Sequence, residues 1–93
     1  MKILLNRCYG GFELNDETLK VFEALGVDDA EDLDRDDPQL IEIAEKFGAD
    51  KISGEYANLA LVEIPDYATD WDIIEEDGAE TIVYVVDGKL HFN

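Results

Sequence analysis

Three aspartates in the middle of the chain have the spacing of calcium ligands. Asp32, Asp34 and Asp36 alternate with other residues, as the first ligands of an EF-hand loop do. The sixth position of that loop is Asp37, where the motif requires glycine, and the twelfth is Ile43, where it requires glutamate. We therefore reject an EF-hand and expect a solvated helix cap here. A weak divalent-cation site at the same three aspartates is the alternative.

The only thiol and the only imidazole are the other groups that could carry out a reaction. Cys8 would be the nucleophile and His91 its base. No cysteine-enzyme signature surrounds Cys8, and nothing in the sequence brings the two residues together. The pair Gly10-Gly11 lacks the glycine spacing of phosphate-binding loops. We therefore predict a protein that is not an enzyme and that uses no cofactor or metal.

Two glutamates and two aromatic residues belong to one predicted hairpin. Glu75 and Glu80 are of the residue type of a glycosidase acid pair. The turn dipeptide Asp77-Gly78 between them instead predicts that they face each other at a solvated hairpin end, with no room for a cleft. Trp71 and Tyr84 are expected to form a cross-strand aromatic pair.

The strong acidity of the chain is the feature with the clearest functional meaning. Its 24 Asp and Glu face only 7 Lys and Arg, so the formal net charge is −17. Such a field repels nucleic acid and anionic membranes and attracts cationic surfaces. The acids concentrate in an acidic connector, residues 28–37, and in a first hairpin, residues 70–80. With Trp71 and Tyr84, the candidate partner-binding residues are Asp28, Asp29, Glu31, Asp32, Asp34, Asp36, Asp37, Asp70, Asp72, Glu75, Glu76, Asp77 and Glu80.

Length and composition predict a single domain over residues 1–93. The apolar share of 46% is that of a globular protein, not of a disordered acidic tail. The longest apolar run, residues 82–86, is far shorter than the roughly 20 residues of a membrane helix. The N-terminus lacks the apolar stretch of a signal peptide, and the single cysteine favours a reducing compartment. We expect a soluble cytoplasmic protein that does not bind membranes.

Hydrophobic periodicity and turn residues predict an α+β fold. Asn15 is a suitable cap for a helix that Gly26 ends, and Pro38 occupies the first turn of a second helix that Gly48 ends. Strands are expected at residues 3–5, 59–64, 71–75, 80–86 and 89–92. The expected order is β-α-α-β-β-β-β, with a mainly antiparallel sheet packed on two helices.

Two Asp-Gly turns fix the expected register of the last three strands. They set four pairs opposite each other: Trp71 and Tyr84, Ile73 and Ile82, Val83 and Phe92, and Val85 and Leu90. These pairs lie on both faces of the middle strand. Two helices normally cover one face of a sheet, so the second apolar face is left for loops or for a partner.

Two parts of the chain form recognisable sequence patterns. The first is the opening MKILLNRCYGGF at residues 1–12. The second consists of the runs VEIPD at 62–66, WDI at 71–73 and EDGAETI at 76–82. Together they cover most of the chain, which resembles small, largely uncharacterised proteins of bacteriophages and prophages. The resemblance implies a phage or mobile-element context and brings no catalytic residue. The acidic connector is more acidic here than in those relatives.

Concentrated carboxylates on a rigid scaffold can imitate a row of phosphates and occupy a nucleic-acid-binding groove. Phage inhibitors of restriction and CRISPR systems often use this device. We therefore expect a DNA-mimicking inhibitor of a basic, nucleic-acid-binding host defence protein, of the anti-restriction or anti-CRISPR class, that binds no nucleic acid itself. The alternative is a structural or accessory phage protein that binds through the apolar second face of the sheet, as a homodimer or larger homo-oligomer.

Overall fold

The computed structural model describes all of residues 1–93, and it confirms the α+β class and the order of elements. A short 3-10 helix at Ala30–Asp32 lies in the acidic connector. The predicted elements are all present and differ from expectation only at their ends. Their bounds are β1 Lys2–Asn6, α1 Asp16–Ala24, α2 Pro38–Phe47, β2 Leu59–Glu63, β3 Asp70–Glu76, β4 Ala79–Val86 and β5 Lys89–Phe92.

Both helices begin at the caps that the sequence provides. The side chain of Asn15 accepts the N–H of Thr18 at 2.9 Å at the start of α1. Asp37 accepts the N–H of Gln39 at 2.9 Å at the start of α2, directly before Pro38. These bonds satisfy N–H groups that have no partner inside the helix. Neither α-helix is long and apolar enough to cross a membrane.

The strands form two antiparallel sheets rather than the single sheet expected. β1 pairs with β2 alone, and β3, β4 and β5 form a separate meander. All four cross-strand pairs predicted for the meander are confirmed: Trp71 with Tyr84, Ile73 with Ile82, Val83 with Phe92, and Val85 with Leu90. Both Asp-Gly turns therefore act as two-residue hairpin loops, with Asp77 and Asp87 each at φ 52°.

β1 lies in the middle of the molecule and is buried on both faces. Leu4 joins the apolar cluster of the helices, while Ile3 and Leu5 join a second cluster with Ile82 of the meander. The helices thus pack on one face of the β1–β2 sheet, and the meander packs on its other face. The expectation that the helices cover the meander is wrong. The continuous apolar run of β1 is typical of a strand that is buried on both faces.

The meander is also anchored at its first turn. The N–H of Gly10 donates to the carbonyl of Asp77 at 3.1 Å, and Asn6 Nδ2 donates to the carbonyl of Gly78 at 2.8 Å. A Cβ on Gly78 would lie 2.3 Å from the backbone nitrogen of Gly11, so only glycine fits here. The turn 77–78 is therefore docked against the Gly10-Gly11 segment.

Candidate functional site

The acidic connector is fixed to the fold by its one basic residue, Arg35. Its carbonyl accepts the N–H of Leu4 at 2.9 Å, along the edge of β1 that β2 does not occupy. Its guanidinium bonds the carboxylate of Glu80 at 2.5 Å and lies 3.7 Å from the centre of the Phe12 ring. Arg35 thereby attaches the connector to both sheets, and the neighbouring aspartates are held on an ordered backbone.

Glu80 is a buried structural carboxylate and not part of a binding surface. It is 7% exposed, and Oε1 also accepts the N–H of Asn6 at 2.7 Å. The prediction that Glu75 and Glu80 face each other is confirmed, but the solvated hairpin end and the partner-binding role expected of Glu80 are wrong. Its charge is instead paired with Arg35 inside the fold, as a buried carboxylate requires.

A groove lies between the acidic connector and β3. Its volume is about 500 Å³, and its lining residues are Leu33, Asp34, Arg35, Asp36, Trp71 and Ile73. Because Arg35 is paired with Glu80, the uncompensated charges of the groove are those of Asp34 and Asp36. The groove thus combines an apolar wall on β3 with a negatively charged wall on the connector.

Two further carboxylates lie along the free edge of β3, each directly before a groove residue in sequence, and they do not line the groove itself. Asp70 Oδ1 accepts the N–H of Trp71 at 2.9 Å, and Asp72 Oδ1 accepts the N–H of Ile73 at 2.8 Å. These N–H groups point away from β4, so each aspartate caps a group that would otherwise be open to another strand. The connector and the first hairpin, which are far apart in sequence, therefore meet at this groove, with Asp34 and Asp36 in its lining and Asp70 and Asp72 on the adjacent edge of β3.

The other candidate acids do not all join this site. Asp28, Asp29 and Asp32 are exposed on the connector, and Glu76 and Asp77 are exposed on the hairpin. The remaining three accept backbone N–H groups: Glu31 from Leu14 at 2.9 Å, Asp37 from Gln39 at 2.9 Å and Glu75 from Gly78 at 2.8 Å. Asp37 thereby caps α2 and Glu75 stabilises the first hairpin turn, whereas Glu31 links the connector to the segment before α1; all three add to the negative field.

The aromatic candidates lie on the face of the meander that is turned towards β1. Trp71 and Tyr84 are half-buried beside the second apolar cluster, and both remain accessible at one side. Tyr84 also stacks on His91, with ring centres 5.3 Å apart. Trp71 therefore contributes to the groove, whereas Tyr84 lies one strand further from it.

The residues considered for catalysis and for metal binding are not assembled into a site. Cys8 Sγ donates to the carbonyl of Tyr56 at 3.1 Å and has no hydrogen bond to His91. No group of three or more potential metal ligands converges anywhere in the chain, so Asp32, Asp34 and Asp36 do not surround a common point.

The opposite face of the meander is exposed and largely apolar. Ile74, Leu90 and Phe92 are 48%, 65% and 63% exposed, and Val83 and Val85 lie between them. By the register of β3, Asp70, Asp72 and Glu76 lie on this same face. We call these five apolar residues the outer face.

Sequence reasoning missed two residues that hold the site together, Asn6 and Arg35. Asn6 is fully buried, and its side chain bonds the backbone of Cys8, Gly78 and Asn58 at 2.8 to 2.9 Å. A polar residue at the end of an apolar strand and a single arginine among seven acids were the available signals.

Comparisons with protein-family models, with curated proteins and with solved structures found no match to this chain.

Proposed function

We propose that this protein is a non-enzymatic, acidic interaction protein that binds the basic surface of a nucleic-acid-binding protein and inhibits it as a DNA mimic. The observation that supports this proposal most is the convergence of two acidic segments at one groove. Asp34 and Asp36 line it on the connector, and Asp70 and Asp72 lie on the adjacent edge of β3, next in sequence to the lining residues Trp71 and Ile73. The net charge of −17 adds a long-range attraction to cationic partners.

The groove suits the planar guanidinium of an arginine better than the compact ammonium of a lysine. Guanidinium groups stack on aromatic faces and bond carboxylates in a planar fork. Trp71 and Ile73 offer an apolar surface, and Asp34 and Asp36 lie across from it. Proteins that bind the DNA backbone present rows of such arginines to phosphates. A row of carboxylates beside an apolar wall competes for the same residues.

The spacing of the carboxylates is compatible with this imitation. Residues i and i+2 of a strand lie about 7 Å apart, so Asp70 and Asp72 give one charge per about 7 Å. One DNA strand carries a charge per about 3.4 Å of helix axis. Asp34 and Asp36 in the groove add two further charges on the connector side.

The resemblance to phage and prophage proteins gives the proposal its biological context. Its partner is then a basic host defence protein of a restriction or CRISPR system, and the host cytoplasm is where the two meet. The same negative field opposes direct binding to nucleic acid.

The proposal is tested by affinity capture on the immobilised protein from a bacterial lysate. We expect a nucleic-acid-binding protein that elutes at moderate salt, because salt screens exposed charges beyond about 8 Å. Duplex DNA added at low salt should displace it, because both ligands would occupy one surface. Captured proteins that are released neither by salt nor by DNA would contradict the proposal.

The outer face supports a second candidate, a structural or accessory phage protein that associates through apolar contacts. The high exposure of Ile74, Leu90 and Phe92 favours it. Salt separates the two candidates, because apolar contacts persist or strengthen as ionic strength rises. Binding that is retained in high salt and lost on Ile74→Lys would favour this candidate.

A further inference from the structure

The sheet edges of this protein are protected unequally. The free edge of β1 is closed by Arg35 and Glu80, and that of β3 is capped by Asp70 and Asp72. The edge of β2 is capped only in part, where Ser53 Oγ accepts the N–H of Leu59 at 2.9 Å, and it carries the exposed carboxylate of Glu63. The edge of β5 has no cap. An open edge is a template for pairing with another strand.

The register of β5 shows which groups are open. Ile82 and Asn93 exchange two backbone hydrogen bonds, of 3.2 and 2.9 Å, so they form a hydrogen-bonded pair. Such pairs alternate along an antiparallel ladder, so Lys89, His91 and Asn93 direct their backbone groups to β4. Leu90 and Phe92 direct theirs outward, and their N–H groups have no partner in the protein. β5 thus offers two donors and two acceptors at its edge.

We propose that β5 pairs antiparallel with β5 of a second copy, with His91 opposite His91 of that copy. This register uses all the outward backbone groups. Leu90 of each copy then exchanges two backbone hydrogen bonds with Phe92 of the other copy. A shift by two residues in either direction leaves some of them unpaired or draws in the turn at Gly88. The two meanders join into one continuous sheet.

The distribution of charge identifies a second copy as the occupant. The stretch 88–93 contains no Asp or Glu and includes Lys89 and His91, whereas every other strand edge that is exposed carries Asp or Glu side chains. A cationic partner is attracted to the acidic edge of β3. Two copies with a formal charge of −17 each repel one another least where their acids are absent.

Side chains on the outer face reinforce the same register. Opposite residues of an antiparallel pair lie on one face, so Leu90 of each copy would contact Phe92 of the other. Both are more than half exposed in the single chain. This pairing removes part of that apolar surface from water, which favours association.

The dimer proposal does not rest on the proposed function. β3 and β5 are the two opposite edges of the meander, so the acidic groove stays accessible when β5 is paired. The dimer would then present two acidic grooves. If the chain dimerises but binds no basic protein, the dimer proposal stands and the proposed function fails. If the chain binds a basic protein but stays monomeric, the proposed function stands and the dimer proposal fails.

Disulfide trapping tests the proposed register directly. In a Cys8→Ser background, His91→Cys gives each copy one cysteine. In the proposed dimer these two cysteines form a non-hydrogen-bonded pair with Cα atoms about 4.5 Å apart. That distance lies within the range of about 4.4–6.8 Å for disulfides. We expect a covalent dimer under mild oxidation. The matched control, Lys89→Cys, would have its two Cα atoms about 14 Å apart and should stay monomeric.

Sedimentation equilibrium of the reduced protein gives a second measurement. We expect a reversible dimer that Phe92→Lys weakens at least tenfold, while Ile74→Lys, on the same outer face but on β3, changes the dissociation constant less than threefold. Circular dichroism checks that both variants are folded. A wild-type chain that stays monomeric up to millimolar concentration, equal trapping of the two cysteine variants, or equal loss with both lysine variants would overturn the edge pairing.

Discussion

Glu80 shows how one carboxylate can belong to the framework of a protein whose other carboxylates lie on its surface. It satisfies the N–H of Asn6 and pairs with Arg35, so it closes the edge of β1 and fixes the connector. A buried charge is tolerated only when it is paired and hydrogen-bonded. The arrangement of the groove therefore depends on a residue that does not line it.

Replacement of Glu80 should destabilise the fold far more than replacement of its cross-strand neighbour. Glu80→Gln leaves Arg35 without its counter-charge, at a cost of about 2–3 kcal/mol, since Arg35 retains some access to water. Glu75→Gln removes the same charge from an exposed site and keeps an acceptor for Gly78, so its effect should stay within about 0.5 kcal/mol. Urea denaturation measures both. Equal losses would show that Glu80 is not a framework residue.

At the scale of elements, the meander is held by a turn and by its contact with β1. The two Asp-Gly turns have the same sequence type and similar backbone angles, but only the first is docked. A Cβ on Gly88 would meet nothing within 4 Å, whereas one on Gly78 would collide with the Gly10-Gly11 backbone. The two turns are thus a matched pair within one chain.

Replacing each of the two turn glycines by alanine should distinguish the loss of stability caused by backbone strain from the loss caused by disrupting the docked turn. Gly88→Ala should cost about 1 kcal/mol, because its φ of 77° is unfavourable for any residue with a Cβ. Gly78→Ala carries the same strain and a steric clash as well, so we expect a loss of about 3 kcal/mol or more. Thermal or urea unfolding gives the comparison. Similar losses for both would mean that the first turn is not docked as described.

The capping of the β3 edge can be separated from its charge. Asp70→Asn with Asp72→Asn removes both charges and keeps oxygen acceptors, whereas Asp70→Ala with Asp72→Ala removes the acceptors too. We expect amide hydrogen exchange at Trp71 and Ile73 to accelerate severalfold in the alanine variant only. The alanine variant should also self-associate more readily, as uncapped edges do. Equal exchange in the two variants would rule out the caps.

At the scale of the whole molecule, the elements and the meander register followed from the sequence because their signals are local. Asn15 and Pro38 mark helix starts, and two-residue Asp-Gly turns fix which residues face each other. The layer order did not follow, because it depends on β1 lying between two clusters. The site was predictable only as two acidic segments. Their meeting depends on Arg35 and Glu80, which are distant in sequence.

We propose that a local acidic groove, and not net charge alone, binds a basic partner. This proposal is tested most directly by capture from lysate with two variants of equal charge. One carries Asp34→Asn, Asp36→Asn, Asp70→Asn and Asp72→Asn, which removes the charges of the groove and of the adjacent β3 edge and keeps the caps of β3. The other carries Glu17→Gln, Glu23→Gln, Glu42→Gln and Glu63→Gln, all at exposed positions elsewhere.

We expect the groove variant to lose at least tenfold in affinity for the captured basic protein. The remote variant should lose less than threefold, because exposed charges beyond about 8 Å from the interface are largely screened in physiological salt. Equal losses in the two variants, with both still folded, would show that the groove has no special role and that the acidity acts only as a general electrostatic attraction.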